Sequence, residues 1–365
     1  MERFIAVFSE LEDPRAANAR HSLLEIVFIA LGAVLCGAES CAEMALFGRA
    51  KEPLLRQILE LEHGVPSHDT FSRVFRLLDP VAFEQAFRAF MASFAQALGG
   101  PSGVVAIDGK ALRGAFERGA KATPLHLVNV WAAEQRLVLA QRLAPQRNEV
   151  AGALEVLKLL SLKGCIVTAD ALHCHKRLAQ AVLDSGAEYV LALKDNQPAL
   201  LADAASLLPT VARGAGHAAE SSSGHDRSER RSATVRADTT LALKHRFPGI
   251  RAVGRIEYRR RLKGKPAERL VRHFLLSREL TPEQLLAAAR AHWTIENQLH
   301  WVLDVVFDED AARNRKDHGP ENLALLRKLA LNLLRLNPDK GSIRGKIKRA
   351  AWDDAVLLTT LGQMR

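Results

Sequence analysis

At residue 104 the hydrophobic period of this chain changes, and the change decides what it can fold into. Upstream, SLLEIVFIALGAVL, SCAEMALFGRAKEPLLRQIL, PSHDTFSRVFRLL and VAFEQAFRAFMASFAQAL repeat apolar residues every three or four positions, which predicts helices. Asp13-Pro14 and Asp79-Pro80 break that region, Ser67 (or Thr70) suits an N-cap, and GGPSG at 99–103 reads as a linker. Downstream, VVAID, LHLVNVWAAE, LVLAQRLA, KGCIVTAD and EYVLALK are short apolar runs that suit strands. NEVAGALEVLKLLSL and HKRLAQAVLDSG between them suit helices. Strands alternating with helices predict an α/β sheet with helices packed on it. TVARGAGHAAESSSGHD at 210–226 reads as a small-residue loop, and RSATVRADTT, IRAVGRIEYRRRL and ERLVRHFLLS suit three further strands. Helical spacing returns at TPEQLLAAARAHWTIENQLHWVLDVVF, where Thr281 caps and Pro282 takes the first helical position, and again at GPENLALLRKLALNLLRL.

Charge points to a partner class. The net charge is +10 with a pI near 9.7, which favours a polyanion. Residues 227–278 hold sixteen Lys/Arg against four acids, and residues 313–349 hold eleven against three. Either block alone could be a solvated face; two blocks around a carboxylate motif favour nucleic acid. Four cysteines without a CxxC pair suit a reducing cytosol. The apolar stretch LLEIVFIALGAVLCGA is too short for a membrane span and contains Glu25, so it predicts a buried helix.

Three acids carry the chemistry. Asp108 closes VVAI, Asp170 closes CIVTA, and Glu296 lies inside a helical pattern. Open α/β sheets bind ligands beyond the carboxyl ends of their strands. Two strand-end acids and one helical acid can hold a pair of Mg²⁺ ions, a hard cation that prefers carboxylate oxygen, and such a pair serves phosphoryl transfer. Gly109 leaves room for a phosphate, and Lys110 and Arg113 stand where they can touch a substrate backbone. The plainer alternative for Asp108 and Asp170 is capping of the next turn. His173, Cys174 and His175 lack a partner pair for zinc, so packing or surface roles are expected.

On a helix, His292, Glu296, His300 and Asp304 fall at steps of four and form one polar stripe, with Asp304 a reserve acid. Trp293, Asn297 and Trp301 form the next stripe, for which core packing is the equal alternative. Arg313, Arg315 and Lys316 are expected to meet phosphates, and Lys194 at a strand end to reach DNA. Asn148-Glu149 suits capping and Asp195-Asn196 a turn. No P-loop, no dinucleotide fingerprint and no G-x-S-x-G elbow occurs, which counts against nucleotide-driven and serine-hydrolase classes.

Several blocks then converge on one family. DPRAANARHSLLEIVFIALGAVLCGAES, PSHDTFSRVFRLLDP, AIDGKALRGA, TADALHCHK and HWTIENQLHWVLDVVFDEDAARNRKDHGPENLALLRKLALN together resemble the insertion-sequence transposases of the ISAs1 family, which includes the H-repeat-associated proteins. The resemblance runs nearly end to end. It implies a ribonuclease-H-like DDE core in which Asp108, Asp170 and Glu296 bind the metal. The wider group carries a Tyr-Arg-Glu-Lys signature around the glutamate; here Ala289, His292 and Leu303 stand at the Tyr, Arg and Lys positions.

The expected fold is therefore α/β: an N-terminal helical domain (1–97), the first part of the catalytic core (98–200), a basic β-rich insertion (201–280), the helical remainder of the core (281–336) and a basic C-terminal tail (337–365). The expected activity is metal-dependent cleavage and strand transfer at insertion-sequence ends, with two Mg²⁺ ions for which Mn²⁺ can substitute. The expected DNA contacts are Lys110, Arg113, Lys194, His292, His300, Arg313, Arg315 and Lys316. The expected partners are the terminal inverted repeats, target DNA and a second copy of the chain in the DNA complex, in the cytoplasm at the nucleoid and without a membrane. A catalytically silent DNA-binding relic and a structure-selective nuclease on the same fold are the alternatives.

Overall fold

The apolar runs after residue 104 do form strands, but several extend beyond the runs that announce them. The computed structural model describes residues 2–97, 103–116, 124–208, 217–224, 227–263 and 266–362. Its strands are β1 (Val104–Phe116), β2 (Pro124–Ala132), β3 (Leu137–Leu143), β4 (Ile166–Ala169), β5 (Glu188–Leu193), β6 (His217–Gly224), β7 (Arg227–Ala237), β8 (Ala252–Leu262) and β9 (Glu268–Leu276). They join in one sheet, ordered β3-β2-β1-β4-β5-β9-β8-β7-β6. β4 lies parallel to β1 and to β5, and every other pairing is antiparallel. The β3-β2-β1-β4-β5 half is the ribonuclease-H-like core that the sequence leads one to expect.

Two expectations need correction. Asp108 does not end a strand: β1 runs on to Phe116 because its second half pairs with β2, and only the parallel pairing with β4 stops at Ile107. The stretch read as a loop at 210–226 contains β6, whose small residues pair with β7; 209–216 and 225–226 lie outside the described residues, as does most of the GGPSG linker. The basic region 201–280 is β-rich as expected, and its strands join the same sheet, β9 pairing with β5.

The N-terminal helices are α1 (Glu2–Phe8), α2 (Leu23–Leu35), α3 (Cys41–Ala50), α4 (Glu52–Leu55), α5 (His68–Leu77) and α6 (Pro80–Ala97). Ser67 accepts from the Thr70 backbone N–H as an N-cap, and α2 is buried almost throughout. The chain then forms α7 (Glu149–Leu157), α8 (Lys176–Asp184), α9 (Pro198–Leu207), α10 (Thr240–His245), α11 (Pro282–Thr294), α12 (Trp301–Val306), α13 (Gly319–Leu336), α14 (Ile343–Trp352) and α15 (Asp354–Gly362). The expected C-terminal tail is thus two packed helices, with Ile347, Ala350, Leu357 and Leu361 in the same core as the N-terminal helices.

Strand alternation sorts the sheet into two faces. Val105, Ile107, Val167, Ala169, Tyr189 and Leu191 point into a core with α7 and α8. Val104, Ala106, Trp131 and Val190 point into the opposite core, under α1–α3, α5, α11 and α13. Asp108, Lys110, Asn129, Thr168, Asp170 and Lys194 share the parity of this second set, which decides where the polar groups meet.

Candidate active site

The acids converge where β1 and β4 part company and α11 crosses them. Asp108, Thr168, Asp170, Lys194, His292 and Glu296 are among the residues lining a cleft of about 310 Å³. Carboxylate oxygens of Asp108 and Glu296 and a ring nitrogen of His300 lie within 4.8 Å of one another. Asp170 faces the same cleft, closes β4 and caps the turn that follows by accepting from the His173 backbone N–H. Capping and site membership, two readings of this aspartate, coexist.

The helix carrying Glu296 is irregular in a way that serves the site. Ile295–His300 winds as a π-turn between α11 and α12. At 3.6 residues per turn, residues four apart drift round a helix by about 40° per step. A wider turn cancels part of that drift and keeps His292, Glu296, His300 and Asp304 toward the sheet. Such π-bulges concentrate at functional sites. All four residues of the stripe have partners there. His292 Nδ1 lies 3.1 Å from Thr168 Oγ1, and His300 Nδ1 lies 3.6 Å from Asp108 Oδ2 and 3.8 Å from Glu296 Oε2. Asp304 Oδ1 lies 2.5 Å from Lys110 Nζ.

The electrostatics are divided. Burial pushes the Asp108 carboxyl up to about 9, helped by its hydrogen bond with Glu296 and by the charges of Glu296 and Asp170. Glu296 is drawn down to about 2 by the imidazole of His300, against the effect of its own burial. Burial also acts to raise Asp170, but the His173 ring, with Nδ1 at 2.7 Å, outweighs it and holds the carboxyl below its usual range. Burial lowers His292 to about 4, so it is a neutral imidazole at pH 7. Among the described residues no lysine or arginine pairs with any of the three acids; their partners are histidines.

Several expected DNA contacts are placed elsewhere. Lys110 is buried, with Nζ 3.3 Å from both Glu309 Oε2 and Asp310 Oδ1 besides its contact with Asp304, so its ammonium is used inside the protein. His300 is buried against the acids, and His292 carries no charge for a phosphate. The room left by Gly109 is filled: a Cβ there would lie 2.2 Å from the Glu149 carboxylate. Arg113, Lys194, Arg313, Arg315 and Lys316 remain exposed on the chain's surface, Arg113 beside Asp310 and Arg315 bonded to the Gly114 carbonyl. Of the second basic block, Arg327, Lys328 and Lys346 are buried and Arg335 stacks over Trp131, so its charge is partly internal. Trp293 and Trp301 are 43% and 56% exposed and are not core residues.

Three participants escape a sequence reading. His173, fully buried, holds Asp170. Thr168 holds His292. Asn129 sits on β2 directly opposite Asp108, with Nδ2 3.4 Å from His300 Nε2. The available signal was a single amide within the apolar run LHLVNVWA.

Residues 99–333 match the family described as "Transposase DDE domain", and residues 5–91 match "DDE_Tnp_1-associated". "Putative transposase YncI" of Escherichia coli O157:H7 is 32% identical over 95% of this chain and 90% of its own length. "H repeat-associated putative transposase YhhI" of Escherichia coli K12 is 30% identical over 94% of this chain and 93% of its own. An uncharacterized protein in the dhlA 3′ region of Xanthobacter autotrophicus is 40% identical over 71% of this chain and 89% of its own. The chain belongs to the DDE transposases of insertion sequences, in the ISAs1 group with the H-repeat-associated proteins, and is a DNA transposase.

Proposed function

We propose that Asp108, Asp170 and Glu296 hold two divalent cations, Mg²⁺ or Mn²⁺, and that the chain hydrolyses one strand at each element end and joins the freed 3′-OH to target DNA. The observation that carries this is three carboxylates from β1, the end of β4 and the π-turn facing one cleft, with no lysine or arginine paired to them among the described residues. Hard oxygen donors without a protein counter-charge fit a hard divalent ion. Bound there, such ions supply Lewis-acid stabilisation of the phosphate and a more acidic attacking hydroxyl.

The rest belongs to the chain. His173 fixes the rotamer of Asp170, and Thr168 and His292 tie α11 to β4. In cleavage, the oxygen of water bonds to phosphorus, the bond from phosphorus to the 3′ oxygen breaks, and the 3′ oxygen leaves with a proton. In joining, the same 3′-OH loses its proton and bonds to a target phosphorus, the bond from that phosphorus to the target's 3′ oxygen breaks, and the target 3′ oxygen leaves with a proton. Lys194, Arg113, Arg313, Arg315 and Lys316 supply exposed charge for the DNA backbone. The substrates are the terminal inverted repeats and target duplex, brought together by two copies of the chain at the nucleoid.

Asp108→Ala, Asp170→Ala and Glu296→Gln are each expected to lower cleavage by about three orders of magnitude or more, a loss of about 4 kcal/mol, with DNA binding kept. The measurement is Mg²⁺-dependent nicking and joining of DNA carrying the repeats that flank the gene. Wild-type cleavage by Asp170→Ala protein would sink the assignment.

A further inference from the structure

The acids of the cleft share their space with a nitrogen base whose second nitrogen is looked after by a buried amide. Asp108, Asn129 and Gln141 form a row across β1, β2 and β3, each opposite the next in register. Asn129 is fully buried, and its Oδ1 has no hydrogen-bond partner. Its amide faces His300 Nε2 at 3.4 Å, while His300 Nδ1 faces Asp108 and Glu296 at 3.6 and 3.8 Å.

An amide can serve either tautomer of that ring. With Nδ2 toward the ring, it donates to a bare Nε2, and the proton sits on Nδ1, pointing at the carboxylates. Turned over, the same atoms place Oδ1 toward Nε2; the amide then accepts Nε2–H, and Nδ1 presents a lone pair to the space between Asp108 and Glu296. Metal-bound histidines commonly donate their other N–H to an oxygen acceptor in this way. Neither an aspartate nor a leucine at position 129 could serve both states.

We infer that His300 Nδ1 is a ligand of one of the catalytic cations, together with Asp108 and Glu296, and that Asn129 is the positioning residue that selects its metal-binding tautomer. This rests on the metal-dependent reading of the site and goes beyond it. An imidazole among carboxylates favours a first-row transition cation over Mg²⁺, so Mn²⁺ is the ion the site takes more tightly. It also gives the π-turn a purpose: it brings Glu296 and His300, four residues apart, to the same cation.

The test is Mn²⁺ binding by the full-length protein, followed by the loss of the free-ion electron paramagnetic resonance signal, with pulsed measurements for nitrogen coupling. The expected result is a nitrogen-coupled Mn²⁺ that Mg²⁺ displaces only in more than tenfold excess. Uniform ¹⁵N-histidine labelling should convert the coupling to that of ¹⁵N, which requires no variant to fold. His300→Gln should remove the coupling and His292→Gln should keep it. Asn129→Leu should weaken Mn²⁺ by about tenfold or more, and Asn129→Asp, which accepts Nε2–H, should restore most of it. Absence of nitrogen coupling, with Mn²⁺ binding still dependent on Asp108, would overturn the ligand role of His300 and leave the carboxylate site standing. Mn²⁺ binding indifferent to Asp108→Asn would overturn both.

Discussion

Two acid clusters lie on the same strand and the same helical segment, and their neighbours differ in one respect. Asp108 and Glu296 face each other with, among the described residues, only histidines as basic partners. Two residues along β1 and eight along the helix, Lys110 meets Asp304, and around them stand Glu309, Asp310 and the buried Lys328. Burial acts to raise Glu309, yet Lys328, Lys110 and Arg327 hold its carboxyl below the usual range. Asp108, less deeply buried and without an ammonium beside it among the described residues, is pushed the other way. The Lys110 cluster carries its cations within the chain; the Asp108 cluster leaves that position to the divalent ion proposed above. An acid lacking a protein counter-charge, beside one that has several, is the clearer marker of function.

The comparison can be broken most forcefully at Lys110. Lys110→Met keeps the volume and removes the ammonium, leaving Asp304, Glu309 and Asp310 short of a partner. Breaking a buried ion network costs about 3–5 kcal/mol, and urea unfolding of the metal-free protein should show a loss of that order. Asp108→Asn should act with the opposite sign, raising stability by about 0.5–2 kcal/mol while cleavage is lost. Equal destabilisation by the two changes would mean that the clusters do not differ as described.

A third carboxylate sharpens the contrast through pH. Glu321, near the start of α13, is raised to about 7, chiefly by burial, with Arg142 and Lys328 opposing and Asp79 and Glu84 adding to the rise. A folded-state value above that of the unfolded chain means that the folded protein binds the extra proton. Stability is therefore fully present below the ordinary glutamate range and falls as pH rises through about 7. Glu321→Gln should match the wild type near pH 4 and exceed it by on the order of 1–3 kcal/mol above pH 7. Thermal unfolding across that range, with no gap opening, would contradict the assignment.

How much of this could be read from the sequence follows the same division. The helical leader and the strands of the core are local patterns of apolar period and turn residues, and Asp108, Asp170 and Glu296, which stand out as acids beside apolar runs, do line one cleft. Ser67 and Thr281 cap the helices their positions suggest. What the sequence could not show was pairing. β6 is built from small polar residues that look like a loop until β7 lies beside them, and β1 outruns its apolar stretch because β2 accepts it. Lys110, in a motif that suggests phosphate, is claimed by carboxylates about two hundred residues away. Asn129 matters only through its register with Asp108. Charge read along a chain does not say whether it is spent inside.

That last point yields the smallest of the expected effects. The block 313–349 mixes two kinds of cation. Arg327 and Lys328 are buried and serve Glu309 and Gln141, whereas Arg313 and Lys316 lie on an exposed loop between α12 and α13. If exposed charge is what meets DNA, Arg313→Ala with Lys316→Ala should weaken binding to element-end duplex about tenfold at physiological salt, about 1.4 kcal/mol. It should also make the fall of log K with log salt shallower by roughly two, one for each lost phosphate contact. The loss should be similar for unrelated duplexes, since phosphate contacts carry no sequence. Lys328→Met should lower stability and leave the salt slope unchanged. A reduced slope for Lys328→Met, or none for the exposed pair, would show that the division between internal and external charge had been drawn in the wrong place.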